Sequence, residues 1–120
     1  MIEKISLSEK FSYITEHWSP KIISELNDSY LKLATFHGEF IWHKHDNEDE
    51  LFFVIEGTLK IALKEKIIIL GPNECVVIPK GVEHKPIAEK EVKVLLIEPK
   101  TTLNTGNIDN EKTKKKLERI

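Results

Sequence analysis

His43 and His45 stand one residue apart in Trp42-His43-Lys44-His45, and Glu50 follows after the polar stretch Asp46-Asn47-Glu48-Asp49. On an extended strand, residues two apart face the same way with Cα atoms about 6.5–7 Å apart, so both imidazoles can aim at one point. The same spacing on a helix would turn them to different sides. With Glu50 opening the next strand, a hairpin brings a carboxylate back over the two rings. Two neutral imidazoles and a carboxylate are a competent donor set for a divalent transition metal, with positions left for water or a small molecule. His84 offers a fourth donor in Pro79-Lys80-Gly81-Val82-Glu83-His84, where a Pro-x-Gly turn at a strand end would set the direction of the ring. One carboxylate and three neutral ligands leave a divalent ion net positive, able to polarise bound oxygen or acidify bound water.

The neighbouring polar residues read differently. Asp46, Glu48 and Asp49 form a solvated acidic loop, His37 belongs to a loop or supports a ligand from behind, and His17 is a surface or packing histidine. Cys75 lies in an apolar run and reads as a buried structural thiol. Lys80 and Lys85 flank the His84 turn, where a phosphate clamp is conceivable but solubility explains them better. Lys44 alternates with the two histidines and points away from their focus.

The elements that must hold these residues are short strands. Tyr30–Phe36 alternates until His37-Gly38-Glu39 breaks it, and Leu51–Ile55 is an unbroken aromatic and β-branched run suited to a strand buried on both faces. Thr58–Leu63, Ile67–Leu70, Cys75–Ile78 and Val92–Ile97 follow, separated by Glu56-Gly57, Lys64-Glu65-Lys66, Gly71-Pro72-Asn73-Glu74 and Pro79-Lys80-Gly81 turns. Many short strands at close intervals, with no long helix between them, predict an all-β sandwich or barrel. Residues 1–29 form an N-terminal segment with a short helix capped by Ser6 or Ser8, 30–99 the barrel core, and 100–120 a polar, solvated tail with a short terminal helix capped at Asp109 or Asn110. The tail from Asn107 onward is expected to be dispensable for metal binding.

Composition bounds the rest. The chain has 120 residues, 40% of them hydrophobic, which suits one domain with a genuine core. Its 20 acids against 18 bases argue against a nucleic-acid footprint or a strong pull toward anionic membranes. One cysteine excludes an internal disulfide framework. The apolar runs fall far short of a membrane span, and the N-terminus lacks a signal-peptide core, so a soluble cytoplasmic protein is expected. Neither a Walker or Rossmann glycine pattern nor a Ser or Cys nucleophile elbow is present.

Gly38, His43, His45, Glu50 and Gly57, in this order, resemble the first motif of the cupin superfamily, with four residues between Gly38 and His43 where five are usual. The run Asn73 to His84 is similar to the second motif. Its opening glycine is Asn73 here, the next best residue for a left-handed turn, and Ala88 replaces the trailing Asn. The resemblance spans about Leu31 to Glu98. It implies a double-stranded β-helix, a jelly-roll barrel, with short N- and C-terminal helical segments. Inside, one divalent transition metal (Fe, Mn, Ni, Zn, Cu or Co) would sit on His43, His45, Glu50 and His84. A pocket would be lined by Ile41, Phe52, Val54 and the last strand. It also implies a homodimer, for which Phe11, Tyr13 and Trp18 offer a contact unless they cap their own barrel. The partner implied is a small-molecule ligand or substrate, and three functions compete: a metal-dependent enzyme of dioxygenase type, a mannose-6-phosphate-like sugar-phosphate isomerase, and a small-molecule or sugar-binding module without turnover.

Overall fold

The computed structural model describes residues 2–120. Its first element is the short helix α1 (Leu7–Phe11), where Ser6 Oγ accepts the Glu9 N–H at 3.3 Å and satisfies one of the free donors of the first turn. Seven strands follow: β1 (Lys21–Leu26), β2 (Ser29–Glu39), β3 (Glu50–Glu56), β4 (Leu59–Ala62), β5 (Ile67–Leu70), β6 (Cys75–Ile78) and β7 (Lys85–Pro99). All their pairings are antiparallel. The expected all-β jelly roll is the fold.

The closure of the barrel rests on β2 and β7, the two longest strands. They pair from Ser29↔Pro99 to Phe36↔Val92, lose register beyond Phe36, and resume at Gly38↔Ala88. Gly38, at φ +88°, carries β2 through this irregularity, so the strand continues to Glu39 where the sequence predicts a break. On its other edge β7 serves two neighbours: its start pairs with β4 and its end with β3. The strand order is β1-β2-β7-β3-β6, with β5 reached through β4. Gly57 makes the β3–β4 turn at φ +91°, and a Cβ there would meet the Glu91 carbonyl oxygen at 2.9 Å.

The core follows the strand period. Along β3, Glu50, Phe52 and Val54 are buried while Leu51, Phe53 and Ile55 are half-buried, so one face is fully enclosed rather than both. Phe52, Val54, Ala34, Phe36, Leu59, Ile61, Val92, Val94 and Leu96 meet inside the barrel. A second cluster gathers Phe11, Ile23 and Leu33, with Ile5, Leu7 and Ile120 packed on it. Phe11 is therefore committed to its own barrel, and Trp18 stacks on Phe36 and Phe40 at centroid distances of 4.2 and 4.8 Å. Of the three aromatics expected at a contact, only Tyr13 is exposed.

Two expectations are corrected. Residues 100–120 contain no helix and are not a solvated tail: Thr102 and Thr105 are buried, Ile22 bridges to Arg119, and the Ile120 carbonyl accepts the Lys10 ammonium at 2.8 Å. The helical reading fails because the segment's backbone groups are taken by the barrel and its own Asn side chains. Cys75 is exposed, since it shares the outward face of β6 with Val77 while Ile78 takes the buried one. Among the described residues, no helix is long and apolar enough to cross a membrane.

Candidate metal centre

The predicted quartet assembles. His43, His45, Glu50 and His84 are all buried, and each offers one donor atom within 4.8 Å of the others. Glu50 is the first residue of β3, and His84 immediately precedes β7. His43 and His45 do not lie on a regular strand as predicted. Residues 40–49 form an irregular segment that bends at Asp46 and Asn47 and carries a single antiparallel bridge, in which His43 and His84 exchange N–H···O=C bonds of 3.0 and 2.9 Å. The His45 carbonyl accepts the Gly81 N–H at 2.8 Å, which docks the Pro79–Gly81 turn against the same segment.

The ring nitrogens are already sorted for ligation. His43 Nδ1 lies 2.9 Å from the Ile41 carbonyl oxygen and His84 Nδ1 the same distance from that of Val82. A carbonyl oxygen accepts only, so each Nδ1 carries the proton and each Nε2 lone pair is left free. His84 Nε2 stands 3.3 Å from Glu50 Oε1 and His45 Nε2 stands 3.4 Å from the same oxygen. Burial, and then the adjacent His84, push His43 down to about 4 from its ordinary 6.5, so its ring is neutral and able to donate a lone pair. Burial alone would raise Glu50, but its neighbours, the Glu98 carboxyl that hydrogen-bonds to it among them, hold it well below the usual carboxylate range.

One observation tests whether a metal suits these residues. Among the described residues, the buried side-chain polar atoms without a hydrogen-bond partner are His45 Nδ1, His45 Nε2, Glu98 Oε2 and Thr102 Oγ1. A buried imidazole with both nitrogens unpaired is costly unless something supplies the missing interaction. A divalent ion on the Nε2 side would do so, and the donor set suits it.

Beside the quartet lies a small cavity of about 30 Å³, lined by Trp18, Phe36, Phe40, Phe52 and Leu96 together with His43, Glu50, Glu98 and Asn104. The Phe40 and Phe52 rings meet His43 and His84 edge-on at 5.4 and 6.1 Å. Phe52 lines this cavity. Val54 is instead buried in the core beneath it, and Ile41 contributes its carbonyl to His43 rather than a wall. Asp46, Glu48 and Asp49 stay outside: Asp46 approaches Lys44, Glu48 accepts the Thr101 hydroxyl, and Asp49 accepts the Lys80 N–H. His37 lies at the surface near His17, which pairs with Glu91 at 2.7 Å.

Sequence reasoning missed three contributors. Glu98 is buried against Glu50, and its other carboxylate oxygen accepts the Lys32 ammonium at 2.8 Å, both residues being 2% exposed. Burial, and then the Glu50 charge, raise the Glu98 carboxyl well above the usual range. The signal was present in parity: Lys32 continues the buried face of Ala34 and Phe36, and Glu98 that of Val94 and Leu96. Trp18 was placed at a dimer contact or barrel cap rather than at the cavity. The third contributor is the tail. Asn107 pairs with Lys44 twice, N–H to carbonyl and Oδ1 to N–H, each at 3.0 Å. Gly106, at φ +57°, lies so close that a Cβ there would sit 2.2 Å from the Lys44 oxygen and 3.2 Å from the His43 ring.

Comparison with known proteins gives the same picture. A family model described as a cupin domain matches residues 32–98. The structure is similar to a cupin-2 domain containing protein from Shewanella frigidimarina, with a TM-score of 0.79 and 51% identity over 80% of this chain and 94% of that one. In sequence the chain is 48% identical over 64 residues to the uncharacterized protein YdbB of Bacillus subtilis, covering 52% of this chain and 57% of YdbB. It is 28% identical over 117 residues to a mannose-1-phosphate guanylyltransferase of Salmonella montevideo, covering 91% of this chain and 25% of that enzyme. The chain thus spans little more than half of the first of these two relatives and a quarter of the second.

Proposed function

The chain belongs to the cupin domain family, and from that premise we propose that it is a metal-dependent enzyme of dioxygenase type acting on a small molecule. The observation that carries this reading is the pairing of a three-histidine, one-carboxylate donor set with an aromatic cavity directly beside it. A divalent transition metal on His43, His45, Glu50 and His84 would supply Lewis-acid and, for a redox ion, electron-transfer chemistry. The chain's own residues set the conditions. The Ile41 and Val82 carbonyls hold the His43 and His84 protons on Nδ1 and keep both Nε2 atoms facing the centre. Trp18, Phe36, Phe40 and Phe52 exclude water from the ligand side and offer flat apolar walls to an organic substrate.

A sugar-phosphate isomerase is the second reading. Glu98 favours it, a buried carboxyl beside the donor set of the kind a proton-moving enzyme requires. The phosphate clamp disfavours it: Lys32, beside the cavity, is already paired with Glu98, and Lys112, over the Phe40 ring at 5.6 Å, reaches out to the Glu39 carbonyl. Lys85 is drawn to Glu39 at 2.8 Å on the surface.

The test is elemental analysis of untagged protein followed by oxygen-uptake assays on small enolisable hydroxy compounds. About one equivalent of iron, manganese, nickel or copper with substrate-dependent oxygen consumption is expected. One equivalent of zinc with no oxygen uptake would transfer the case to the isomerase, and no metal after reconstitution would leave a binding module.

A further inference from the structure

One stretch of chain bounds both hollows that reach the donor set. The cavity of about 30 Å³ has room for roughly two waters, too little for an organic molecule. Its walls Phe36, Phe52 and Leu96 stand on ladder strands, and Trp18 is stacked on two rings with Nε1 donating to the His37 carbonyl at 2.9 Å. Asn104 closes it from the strap of residues 101–117. A second hollow of about 190 Å³ touches the donor set at His45 and is bounded by the same strap, at Leu103, Gly106 and Asn107.

The strap is a unit with pinned ends. The Glu25 carboxylate takes Lys100 at 3.1 Å and Arg119 at 2.8 Å, which sets the two ends side by side. Backbone bonds fix each end: Lys100 donates to the Asp28 carbonyl, while Ile22 donates to Glu118 and accepts the Ile120 N–H. Between them the strap bonds to itself. Asn104 joins Lys112 and Lys114, each at 2.8 Å, and the Thr105 hydroxyl meets that of Thr113 at 2.7 Å. Its hold on the barrel is slight by comparison. Among the described residues, its hydrogen bonds there are the two between Asn107 and Lys44, Thr101 to Glu48, and Lys112 to the Glu39 carbonyl at 3.4 Å. Leu103 and Ile108 are 38% and 37% exposed, so these apolar side chains do not fasten it to the core.

We infer that residues 101–117 are a lid over the metal centre, which lifts as a unit about its pinned ends when Asn107 releases Lys44. Lifting takes Asn104 out of the cavity wall and Gly106 off the His43 ring, so metal and small molecule enter by one movement. The inference rests on the reading of the cavity as the small-molecule site only for what the lid admits. The latch itself is a property of the chain, with or without metal.

Amide hydrogen exchange on the full-length, metal-free protein tests the movement. The Lys44 and Asn107 amides bond only across the latch, so they should share one protection factor, roughly tenfold or more below those of Ile22, Ile120, His43 and His84. The Lys114 amide, bonded inside the strap to Asn104, should outlast that of Asn107. Zinc kinetics then tell a lid from a mere support. Asn107→Ala removes one of the two latch bonds while the closed form still prevails. Uptake of zinc and its loss to excess chelator should both quicken about fivefold, with affinity unchanged within about twofold. A residue that only supports the donors would quicken loss alone. Unequal protection of Lys44 and Asn107, protection of both as high as that of His84, a Lys114 amide as fast as that of Asn107, or faster loss with unchanged uptake would each overturn the inference. A protein that takes up no zinc yet shows the shared exchange of Lys44 and Asn107 would sink the metal reading and leave the lid over the cavity standing.

Discussion

The four donors of the centre come from two kinds of backbone. Glu50 and His84 sit at the ends of ladder strands, where β3 and β7 pair with long neighbours on the large sheet. His43 and His45 sit on a segment that no sheet contains, and its backbone groups go alternately to two sides. His43 and His45 bond to His84 and Gly81, whereas Lys44 between them bonds twice to Asn107, more than sixty residues away. One asparagine thus does for Lys44 what a paired strand does elsewhere, offering an N–H and an acceptor at the spacing a strand edge requires. A His-x-His spacing needs only extended backbone to aim both rings together, and that backbone is made extended by partners on both sides. Half of the centre is therefore built by the barrel and half is held in place by the tail.

The largest effect that would break this comparison comes from the ligands themselves. His45→Ala and His84→Ala should each lower metal affinity by more than about 100-fold, beyond what loss of a supporting residue causes. Their metal-free forms should differ: His45→Ala removes two unpaired buried nitrogens and should leave the melting temperature nearly unchanged, while His84→Ala opens a cavity at a fully buried ring and should lower it. Elemental analysis with calorimetry of the apo-proteins reads both.

Next comes removal of residues 107–120. The sequence reading makes this segment dispensable, whereas the geometry predicts a loss of roughly 10-fold or more in metal affinity and a lowered melting temperature, because the Lys44 clamp and the Ile120 packing go together. A truncated protein with unchanged metal affinity would show that the barrel holds His43 and His45 unaided.

The pH response of the metal-free protein is the third. The folded His43 titrates at about 4 and the unfolded one at the ordinary 6.5, so between these values the unfolded chain carries a proton that the folded chain does not. Stability from this group is complete above about pH 6.5 and is lost as pH falls toward about 4, by up to about 3 kcal/mol. Metal should raise stability without removing this loss, because the proton is taken up by the unfolded chain, and thermal melts from pH 7 to pH 4 with and without metal measure it. Smallest is Asn107→Ala, which leaves the Asn107 N–H bonded and removes only the acceptor for Lys44, at a cost of about 1 kcal/mol. Asn107→Asp keeps that acceptor and should restore most of the loss.

Much of this centre was legible in the chain. The quartet follows from the spacing of His43, His45 and Glu50 with the Pro79–Gly81 turn before His84, because the aim of a side chain on extended backbone depends on parity alone. The turns were legible too: Asn73 adopts φ +69°, as its place at the head of a left-handed turn predicts. Less could be read where partners are distant. Lys32 and Glu98 look like surface charges within their own strands, and only their shared parity with Ala34 and Leu96 marks them as inward. Cys75 differs from its reading because an unbroken apolar run does not say which of its two faces the barrel will cover.

Local chemistry, acting over a few residues, determined most of the strands, their turns and the identity of the four donors. Each of these depends on backbone preference and on the two-residue period, which operate without knowledge of the rest of the molecule. The tertiary structure alone decided that residues 100–120 fold back onto Lys44 and the His43 ring, that Lys32 meets Glu98 beside Glu50, and that Trp18 walls the cavity. These contacts join positions 60 or more residues apart or depend on barrel closure, and chain connectivity carries no local signal for a meeting that exists only once β2 and β7 have paired along their length.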